Sequence, residues 1–577
     1  MCGIVGYKGE ENASEIVHRA LQKLEYRGYD SAGIATVGNP SLKIEKGVGT
    51  IEEVFEEENK LDGETGIGHT RWATHGGVTE DNAHPHTSCD EEIAVVHNGI
   101  IENYTDLKEE LSNHDFRSET DTEVLPHLLE DIIEEFDLVE AFHELADRIE
   151  GHYAVATTFQ DGRMAGMRKG SPLVLGIGED ETFLASDVTS FLQHTEDVVF
   201  LQEDDIVIID ESGEFEIYNS GKKVEREVQK VDWDAQEASK EGFDHYMKKE
   251  ITEQPETVKR AVFQDQSDME EAVEMMDEAE KIYITGCGTA GIIASLGAKY
   301  LREAGYNAEP ELAHELEYRT EEITEDDLVI AVSQSGETAD LLSMLNEADA
   351  ETLAVVNVVG STLARNSAHQ LYVNAGPEIA VASTKATTAQ ITVMHLLANA
   401  ADSKLDEGRE ELLETASRIE EVIEENEETI EELAEYFSEK DQTYFIGRDR
   451  GHEVARESCL KFKEISYTHS EAFPGGEFKH GNLALVEEGT PIVSFLKESG
   501  YDQILSNTIE ARSRGADIIG VGSEREEAFD YFLEVPEEGN REIYEIVLFQ
   551  MIAYETSVES GHNPDKPRNL AKSVTVK

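Results

Sequence analysis

The second residue of the chain, Cys2, carries a thiol and, once Met1 is removed, a free α-amine. The thiol is a nucleophile. The amine has a reference pKa of about 7.7–8.0, so part of it is neutral at pH 7 and can accept the thiol proton. This pairing on one residue predicts nucleophilic catalysis. The alternative is a small buried residue without chemistry, because free cysteine often behaves as a small apolar side chain.

Residues further along could complete a site around this nucleophile. Arg71, in the loop-like stretch 69–76, could bind a carboxylate through two hydrogen bonds. Asn98 and Gly99 directly follow a predicted strand at 93–96, and their N–H groups are typical of an oxyanion hole. Asp121 could bind a ligand, although the stretch 118–123 also has the pattern of a helix cap.

The histidines and cysteines do not predict a metal site. His69, His75, His84 and His86 lack the spacing of a ligand set. The four cysteines (Cys2, Cys89, Cys287, Cys459) are far apart in sequence and show no CxxC pair, so neither zinc nor a disulfide framework is implied.

The motifs at 2–6, 26–31, 71–76 and 97–99, together with Asp121, resemble the N-terminal-cysteine (Ntn) glutamine amidotransferases. The resemblance implies a four-layer αββα sandwich. It also implies that Cys2 attacks the side-chain amide of glutamine and that Asn98 and Gly99 stabilise the oxyanion. Glutamine-binding residues would be Arg71 for the α-carboxylate, Asp121 for the α-ammonium, and Thr74 and His75.

The second half of the chain repeats a strand, glycine turn and helix pattern. Residues 286–291 match the GxGxxG dinucleotide fingerprint, whose acidic residue would be Glu309 or Glu311. In a chain with 124 Asp and Glu that match has little weight, so a dehydrogenase is disfavoured. The loop 333–338 offers three hydroxyls and the N–H groups of a helix start, which suit one phosphate; the alternative is a Ser-rich helix cap.

The loop 333–338 and the stretch 378–385 resemble sugar isomerase (SIS) domains. The resemblance implies a phosphate site and a sugar site formed by Ser333, Gln334, Ser335, Thr338, Cys287, Gly288, Thr289, Val381 and Ser383. In the second predicted α/β domain the equivalent strand runs into Phe495, Leu496 and Lys497. We therefore expect one sugar site per chain, mainly in the first SIS domain.

Three charged residues, Glu457, Lys461 and Glu464, share one face of a predicted helix. An exposed salt-bridged face is the alternative. The last thirteen residues, 565–577, hold four basic residues and one acid, which reverses the trend of the chain. We expect this tail to fold into a site that carries anions.

The whole chain resembles enzymes that join an Ntn amidotransferase to two SIS domains and convert fructose 6-phosphate and glutamine to glucosamine 6-phosphate and glutamate. The resemblance implies no metal or organic cofactor, a homodimer, and Trp72 as the gate of an ammonia channel. Its implied sugar-site roles are a Schiff base on Lys572, proton transfer by Glu464 with help from Lys461, sugar binding by Glu457, and ring opening by His480 of the neighbouring subunit. Ala290 and Asn482 depart from the usual serine and proline of these enzymes.

Two other functions compete with that prediction. A phosphoribosyl-type Ntn amidotransferase would need a phosphoribosyl-diphosphate loop, which the sequence lacks. A sugar-phosphate sensor built from SIS domains would need neither Cys2 nor Lys572.

These residues must be positioned by several domains, and 577 residues suffice for three or four. Short strands with helices near 14–25 and 122–149 predict the amidotransferase domain at 2–225. An acidic, mostly helical linker follows at 226–275. Two doubly wound parallel-sheet SIS domains are predicted at 276–425 and 426–577, with the active-site tail at 565–577 and a long acidic helix at 405–437.

The charge is extreme: 48 Lys and Arg against 124 Asp and Glu give a net charge of −76. This charge argues against binding to nucleic acid or anionic membranes. Apolar residues make up 39% and recur along the chain, so we predict a folded halophilic protein rather than a disordered acidic one. Without a signal segment or a long apolar run, a cytoplasmic location is expected.

Overall fold

A computed structural model describes residues 2–38, 41–55, 61–72, 76–231, 240–497 and 499–575. The chain divides into two compact units. The first comprises Met1–Ala238 with Ala571–Lys577, and the second comprises Ser239–Leu570. Among the described residues, no helix combines the length and the apolar character needed to cross a bilayer.

The first unit contains two antiparallel sheets, of eight and seven strands. The eight-stranded sheet has the order β15-β11-β9-β10-β1-β4-β2-β3, and the seven-stranded sheet has the order β14-β13-β12-β8-β7-β6-β5. The strands are β1 Gly3–Lys8, β2 Ser31–Val37, β3 Leu42–Val48, β4 Thr65–Arg71, β5 His86–Thr87, β6 Ile93–Ile101, β7 Gly151–Phe159, β8 Met164–Lys169, β9 Val174–Ile177, β10 Thr182–Ala185, β11 Asp197–Phe200, β12 Asp205–Ile209, β13 Phe215–Asn219, β14 Lys222–Val224 and β15 Gln229–Lys230.

Alternating side chains of β6 show how the layers are built. Ala94 and Val96 point into the core between the two sheets, while Ile93 and Val95 point into a second core beneath two helices. Both faces of the strand are therefore apolar. The helices of this unit are α1 Ala13–Leu24, α2 Ile51–Val54, α3 Tyr104–Glu110, α4 Val124–Ile132 and α5 Leu138–Arg148. Since α1 covers β1 and β4 of the other sheet, the unit is the predicted αββα sandwich.

The second unit contains two five-stranded parallel sheets, β17-β16-β18-β19-β20 and β22-β21-β23-β24-β25. The strands are β16 Ile282–Gly286, β17 Ala308–Leu312, β18 Leu328–Ser333, β19 Glu351–Val356, β20 His369–Tyr372, β21 Gln442–Gly447, β22 His469–Pro474, β23 Pro491–Phe495, β24 Asp517–Gly522 and β25 Tyr531–Glu534. In chain order both sheets read 2-1-3-4-5, so the predicted repeat of one plan is confirmed.

Helices cover both faces of these sheets. They are α6 Tyr246–Thr252, α7 Gln254–Val262, α8 Gln266–Glu278, α9 Thr289–Glu303, α10 Ala313–Leu316, α11 Ala339–Glu347, α12 Thr362–Asn366, α13 Lys385–Ala401, α14 Leu405–Glu425, α15 Glu427–Ser438, α16 Arg450–Ile465, α17 Gly475–Phe478, α18 Tyr501–Arg512 and α19 Arg541–Glu559. On β16, Ile282 and Ile284 face one core while Tyr283 faces another, which is why this strand is apolar throughout.

Three sequence expectations differ from the structure. The helix expected at 122–149 is two helices, because Asp137 accepts the Glu140 amide and starts α5. The helix expected at 405–437 breaks at Asn426, whose amide group bonds the backbone of Glu534 in both directions. The expected linker at 226–275 holds α6, α7 and most of α8, which bury apolar residues in the core of the second unit.

Candidate functional site

Cys2 lies just before β1, at one end of the eight-stranded sheet. Its Sγ accepts a hydrogen bond from the Trp72 amide at 3.2 Å. Burial raises the pKa of the Cys2 thiol, while the Trp72 amide and the Arg71 guanidinium act in the opposite direction. A thiol held in its neutral form needs a base at the moment of attack, which is the role we expect for an α-amine on the same residue.

The predicted oxyanion residues lie inside a strand rather than after it. β6 continues to Ile101, so Asn98 and Gly99 are strand residues paired with β7. Asn98 Nδ2 donates to the Cys2 carbonyl at 2.8 Å, and its Oδ1 lies 3.1 Å from His69 Nε2. A buried imidazole thus orients the Asn98 amide towards Cys2. Gly99 has φ +117°, and a Cβ there would meet the His152 carbonyl oxygen at 2.0 Å, so only glycine fits.

Two opposite charges share a cavity with Cys2. Arg71 is the last residue of β4, so the expected loop at 69–76 begins later than the sequence indicated. Asp121 accepts the Ile101 amide through Oδ2 at 2.8 Å and precedes α4, which has no side-chain cap bond. The alternative role of Asp121 as a helix cap is therefore wrong. A guanidinium and a carboxylate in one cavity are complementary to the carboxylate and ammonium of an amino acid.

The cavity has a volume of about 90 Å³. Its lining includes part of the C-terminal tail, at Ala571, Ser573, Val574 and Thr575. The tail was predicted to belong to the second SIS domain, but Ala571–Lys577 belong to the first unit, and four of these residues line this cavity. Sequence reasoning missed these tail residues as part of the Cys2 cavity. The reversed charge of the tail was the only signal of an ordered role.

Trp72 lines the same cavity and its ring makes an edge-to-face contact with Tyr29, at 5.4 Å between centroids. A Cβ on Gly28 would lie 2.7 Å from the Trp72 amide nitrogen, which explains the glycine of the 26–31 motif. The channel-gate role of Trp72 stays a prediction. Thr74 and His75 lie outside the described residues.

The glycines of 286–291 serve packing of a strand against a helix. A Cβ on Gly286 would lie 2.9 Å from the backbone of Ala290, and one on Gly291 would lie 2.6 Å from Leu312 Cδ2. Glu309, an expected ribose ligand of a dinucleotide site, is instead paired with Arg319 at 3.1 Å. The turn brings Cys287, Gly288 and Thr289 to the carboxyl edge of the sheet, where α9 begins.

The Ser-rich loop follows β18 at that same edge. Ser333 Oγ accepts the Gly336 amide at 2.9 Å, and Ser335 Oγ accepts the Glu337 amide at 3.2 Å. Thr338 occupies the N-cap position of α11 without a side-chain cap bond. Thr338 therefore does not act as a side-chain cap of α11, as the helix-cap alternative expected. The loop presents hydroxyls at a helix start, as a phosphate site requires.

The stretch 378–385 is held by two buried carboxylates. Glu378 accepts the backbone amides of Thr384 and Ala386, both at 2.9 Å, and Glu250 of α6 accepts those of Ile379 and Ala380. Ser383 Oγ donates to Glu378 at 3.2 Å. This scaffold fixes the positions of Val381 and Ser383. Glu250 was missed in the sequence because it lies in the expected linker.

The charged face of α16 is buried, so the exposed salt-bridge alternative is wrong. Lys461 is 1% exposed and lies 3.5 Å from Glu457 and 2.7 Å from Glu464. Its Nζ donates to Thr289 Oγ1 at 3.2 Å, and that hydroxyl donates to Glu457 at 3.1 Å. The face of α16 thus meets the sugar-site turn of the first SIS domain.

The ionisation of this cluster separates two roles. Burial alone would lower the pKa of Lys461, but the carboxylates of Glu464 and Glu457 raise it above its ordinary value. Lys461 therefore stays an ammonium and cannot act as a base. The proton acceptors of this cluster are therefore its carboxylates, and burial raises the pKa of Glu457.

His480 lies at the end of a short turn after α17 and is exposed. The next two residues are Gly481, at φ +140°, and Asn482, which begins a 3₁₀ helix. Lys572 belongs to the first unit, whereas Glu464 and His480 belong to the second. The roles assigned to these three residues stay predictions.

Family models match most of the chain. The SIS domain matches residues 275–400 and 436–559, and the glutamine amidotransferase domain matches residues 69–193. The chain is also similar to glutamine–fructose-6-phosphate aminotransferases (isomerizing), in each case over the full length of both chains. It is 45% identical to the protein from Methanothermobacter thermautotrophicus, 43% to that from Halobacterium salinarum and 42% to that from Clostridium acetobutylicum.

The chain belongs to this aminotransferase family. Its second unit also resembles a solved structure, the C-terminal domain of the enzyme from Francisella tularensis, with 31% identity and a TM-score of 0.53 over 57% of this chain and 99% of that one. The tagatose-6-phosphate ketose/aldose isomerase of Escherichia coli, 19% identical with a TM-score of 0.50 over 56% of this chain and 96% of that one, shares the fold. Aminotransferases of this family thus supply the context in which both sites are interpreted.

Proposed function

We propose that the chain converts D-fructose 6-phosphate and L-glutamine to D-glucosamine 6-phosphate and L-glutamate. This reaction begins amino-sugar synthesis towards UDP-N-acetylglucosamine. The observation that carries the proposal is the cavity in which the Cys2 thiol, the Asn98 amide, Arg71 and Asp121 meet. Family membership extends it to the sugar half of the reaction.

In the glutamine half, Cys2 attacks the side-chain amide and its α-amine accepts the thiol proton. Asn98 Nδ2 and the Gly99 N–H stabilise the oxyanion of the tetrahedral intermediate. Ammonia leaves, and water then hydrolyses the thioester to glutamate. Arg71 and Asp121 bind the backbone charges of glutamine, together with Thr74 and His75, and Trp72 gates the passage of ammonia.

In the sugar half, the hydroxyls of Ser333, Ser335 and Thr338 bind the phosphate, together with Gln334. Lys572 forms a Schiff base with the ketone of the open sugar, releasing water. Ammonia then adds to C2 of this imine and the Lys572 amine leaves, so the nitrogen of glutamine stays on the sugar. Glu464 moves the proton between C1 and C2. Lys461 stays charged, so its role is to orient Glu464 and the Thr289 hydroxyl rather than to transfer protons.

The other residues that we propose to bind the sugar are those that the resemblance to the family implies. Cys287, Gly288, Val381, Ser383 and Glu457 line the site, and no metal or organic cofactor takes part in the reaction. Ala290 supplies no hydroxyl, so this residue cannot donate the phosphate hydrogen bond of the family's usual serine.

We also propose that the enzyme is a homodimer that works in the cytoplasm. The exposed His480 side chain supports use by the neighbouring subunit's sugar site. Four unbonded cysteines, including the nucleophile, suit a reducing compartment. Mixing inactive His480→Ala and Glu464→Gln chains should restore activity if His480 acts across the interface, and no recovery would contradict that arrangement.

A pair of variants tests the main proposal, assayed in molar KCl with glutamine and fructose 6-phosphate. Cys2→Ala should lose glutamine hydrolysis and keep fructose 6-phosphate binding. Lys572→Arg keeps the charge but cannot form the adduct, so it should hydrolyse glutamine without making glucosamine 6-phosphate. Borohydride with fructose 6-phosphate should label the C-terminal peptide of the wild type alone.

Three results would contradict the proposal. They are a wild type that makes no glucosamine 6-phosphate, full glutaminase activity in protein that mass spectrometry shows to retain Met1, and a borohydride adduct on another lysine.

Circular dichroism in tens of millimolar KCl should show loss of structure, because the Debye length then exceeds about 10 Å and the net charge of −76 repels itself.

A further inference from the structure

Four side chains with metal-ligand atoms meet on the first unit, away from the cavity of Cys2. Cys89 lies in the turn before β6, His114 follows α3, and His127 and Glu130 are one turn apart on α4. Their donor atoms all lie within 4.8 Å of one another. We propose that these four residues bind one divalent transition-metal ion of the zinc class.

The distances match a tetrahedral site. Zinc bonds of about 2.3 Å to sulfur and about 2.0–2.1 Å to nitrogen or oxygen place tetrahedral neighbours about 3.3–3.6 Å apart. Cys89 Sγ lies 3.5 Å from His114 Nδ1 and 3.6 Å from His127 Nδ1. Glu130 Oε2 lies 3.2 Å and 3.7 Å from the same two nitrogens. An ion among these atoms could therefore contact all four ligands, whose donor atoms lie within 4.8 Å of one another.

An outer contact orients one ligand as in zinc sites. The second nitrogen of His114 faces Asp131 Oδ1 at 3.0 Å, whereas that of His127 is buried without a hydrogen-bond partner among the described residues, with Glu123 Oε1 3.9 Å away. His114 Nδ1 faces Cys89 and Glu130, whereas its Nε2 faces Asp131. With an ion on Nδ1, the neutral ring is satisfied by donating its Nε2–H to Asp131.

The donor set also selects the metal. A thiolate and two imidazoles favour Zn²⁺ or Co²⁺, whereas Mg²⁺ and Ca²⁺ favour oxygen ligands. In a chain with 124 Asp and Glu, this softness distinguishes the cluster from carboxylates elsewhere. Cys89 is exposed and, with His127, lines a cleft of about 390 Å³ that gives an ion access.

The ion would close a loop that serves the glutamine cavity. Residues 115–126 join His114 to His127, and this segment includes Asp121, Thr120 and Thr122 of the cavity lining. Bound metal would tie both ends of the segment to the Cys89 turn. This consequence for glutamine binding rests on the proposed function, whereas metal binding itself does not.

Cobalt titration of the full-length protein tests the site. The chain should carry Cys2→Ala, because an N-terminal aminothiol can itself bind metals, and the buffer should contain molar KCl and excess MgCl₂ to occupy carboxylates. Metal-free protein should bind one Co²⁺ per chain, with the strong visible absorption of a tetrahedral site and a thiolate charge-transfer band. Zn²⁺ should displace the cobalt and abolish both signals.

Matched cysteine variants locate the ion. Adding Cys89→Ala should remove the charge-transfer band and weaken binding at least tenfold. Adding Cys459→Ala, a buried thiol of the second unit, should change neither. Cys287→Ala tests the other donor group, Cys287, His314 and Asp340, and should also leave the signals intact. Asp131→Asn, on an exposed residue, should weaken cobalt binding about tenfold with unchanged circular dichroism.

A spectrum without tetrahedral cobalt, or one that survives Cys89→Ala, would overturn the proposal. Loss of the signal in Cys287→Ala alone would place the metal at the other group and overturn it as well. Glucosamine 6-phosphate formation is scored separately, so a failed metal site and a failed aminotransferase assignment give different results.

Discussion

The two SIS domains have the same strand order, but the residues that follow the third strand in chain order, β18 in the first domain and β23 in the second, differ. After β18 the first domain has the hydroxyl-rich loop 334–338 at the start of α11. After β23 the second domain has Leu496 and Lys497 instead. Lys497 is 8% exposed and lies 2.9 Å from both Glu542 and Glu545, which belong to α19.

The difference shows that the fold supplies the position of a site and not the site itself. In the second domain a buried lysine pairs with two carboxylates, where the first domain has the hydroxyls that we propose as a phosphate site. The second domain meets the first through α16, whose Glu457 and Lys461 bond the Thr289 hydroxyl of the first domain. One site per chain would then draw on both domains.

The largest expected effect tests that contribution. Glu464→Gln keeps the shape of the side chain but removes the proton acceptor, so kcat for glucosamine 6-phosphate should fall about 10²–10⁴-fold. Glutamine hydrolysis and the KM for fructose 6-phosphate should change little. Unchanged synthesis would show that α16 of the second domain takes no part in proton transfer.

A variant of Lys497 tests whether this lysine stabilises the second domain or binds substrate. Lys497→Met removes the nearest cation of Glu542 and Glu545 and leaves Arg450 and Arg541 at 3.6 and 3.5 Å, so the free energy of unfolding should fall by up to about 3–5 kcal/mol. Chemical denaturation in molar KCl measures the change, and exposed Lys479→Met is the control. A rise in the KM for fructose 6-phosphate with unchanged stability would assign Lys497 to substrate binding.

The contact between the two domains should respond to acid. Burial would raise the pKa of Glu453 on α16, but His452 and the cations Lys299, on α9, and Arg456 lower it to about 2. The folded pKa lies below the unfolded value of about 4.5, so this stabilisation is present above pH 4.5 and is lost as the pH falls towards 2. It amounts to at most about 3 kcal/mol.

Denaturation of Glu453→Gln and wild type across that range measures the effect. The difference in unfolding free energy should shrink as the pH falls, and exposed Glu420→Gln should show no such trend. A difference that stays constant from pH 6 to pH 3 would contradict the assignment.

The smallest effect concerns the phosphate loop. Ser335→Ala removes one hydroxyl, and a hydrogen bond to a charged group contributes about 1.5–3 kcal/mol. The KM for fructose 6-phosphate should therefore rise about 10- to 150-fold at nearly constant kcat. Ser513→Ala, an exposed hydroxyl of the second domain, is the control. Equal KM values in all three proteins would remove Ser335 from the site.

Strong local patterns allowed much of the fold to be predicted. The strand at 491–495 has its expected limits, and those at 443–446 and 517–521 are within one residue, because apolar runs bounded by turn residues define them. The breaks at Asp137 and Asn426 were missed, since each depends on a side chain meeting one particular backbone group.

The site residues likewise include some that the sequence predicted and some that it did not. Cys2, Arg71, Asn98 and Asp121 share one cavity, as their motifs indicated. Three contacts between distant segments were not predicted, because they leave no local pattern in the sequence. They are the tail beside Cys2, Glu250 beneath the 378–385 stretch, and the group of Cys89, His114, His127 and Glu130. The ligands of that last group are separated by 25 and 13 residues before the final turn of helix, which no short motif describes.

Counting sugar sites tests the central claim that only the first SIS domain binds the phosphate. Calorimetric titration of Cys2→Ala protein with fructose 6-phosphate in molar KCl should give one site per chain. That site should weaken at least a hundredfold when Ser335→Ala and Thr338→Val are combined, and it should keep its affinity in Lys497→Met. Two sites per chain, or one site indifferent to loss of these hydroxyls, would contradict the account.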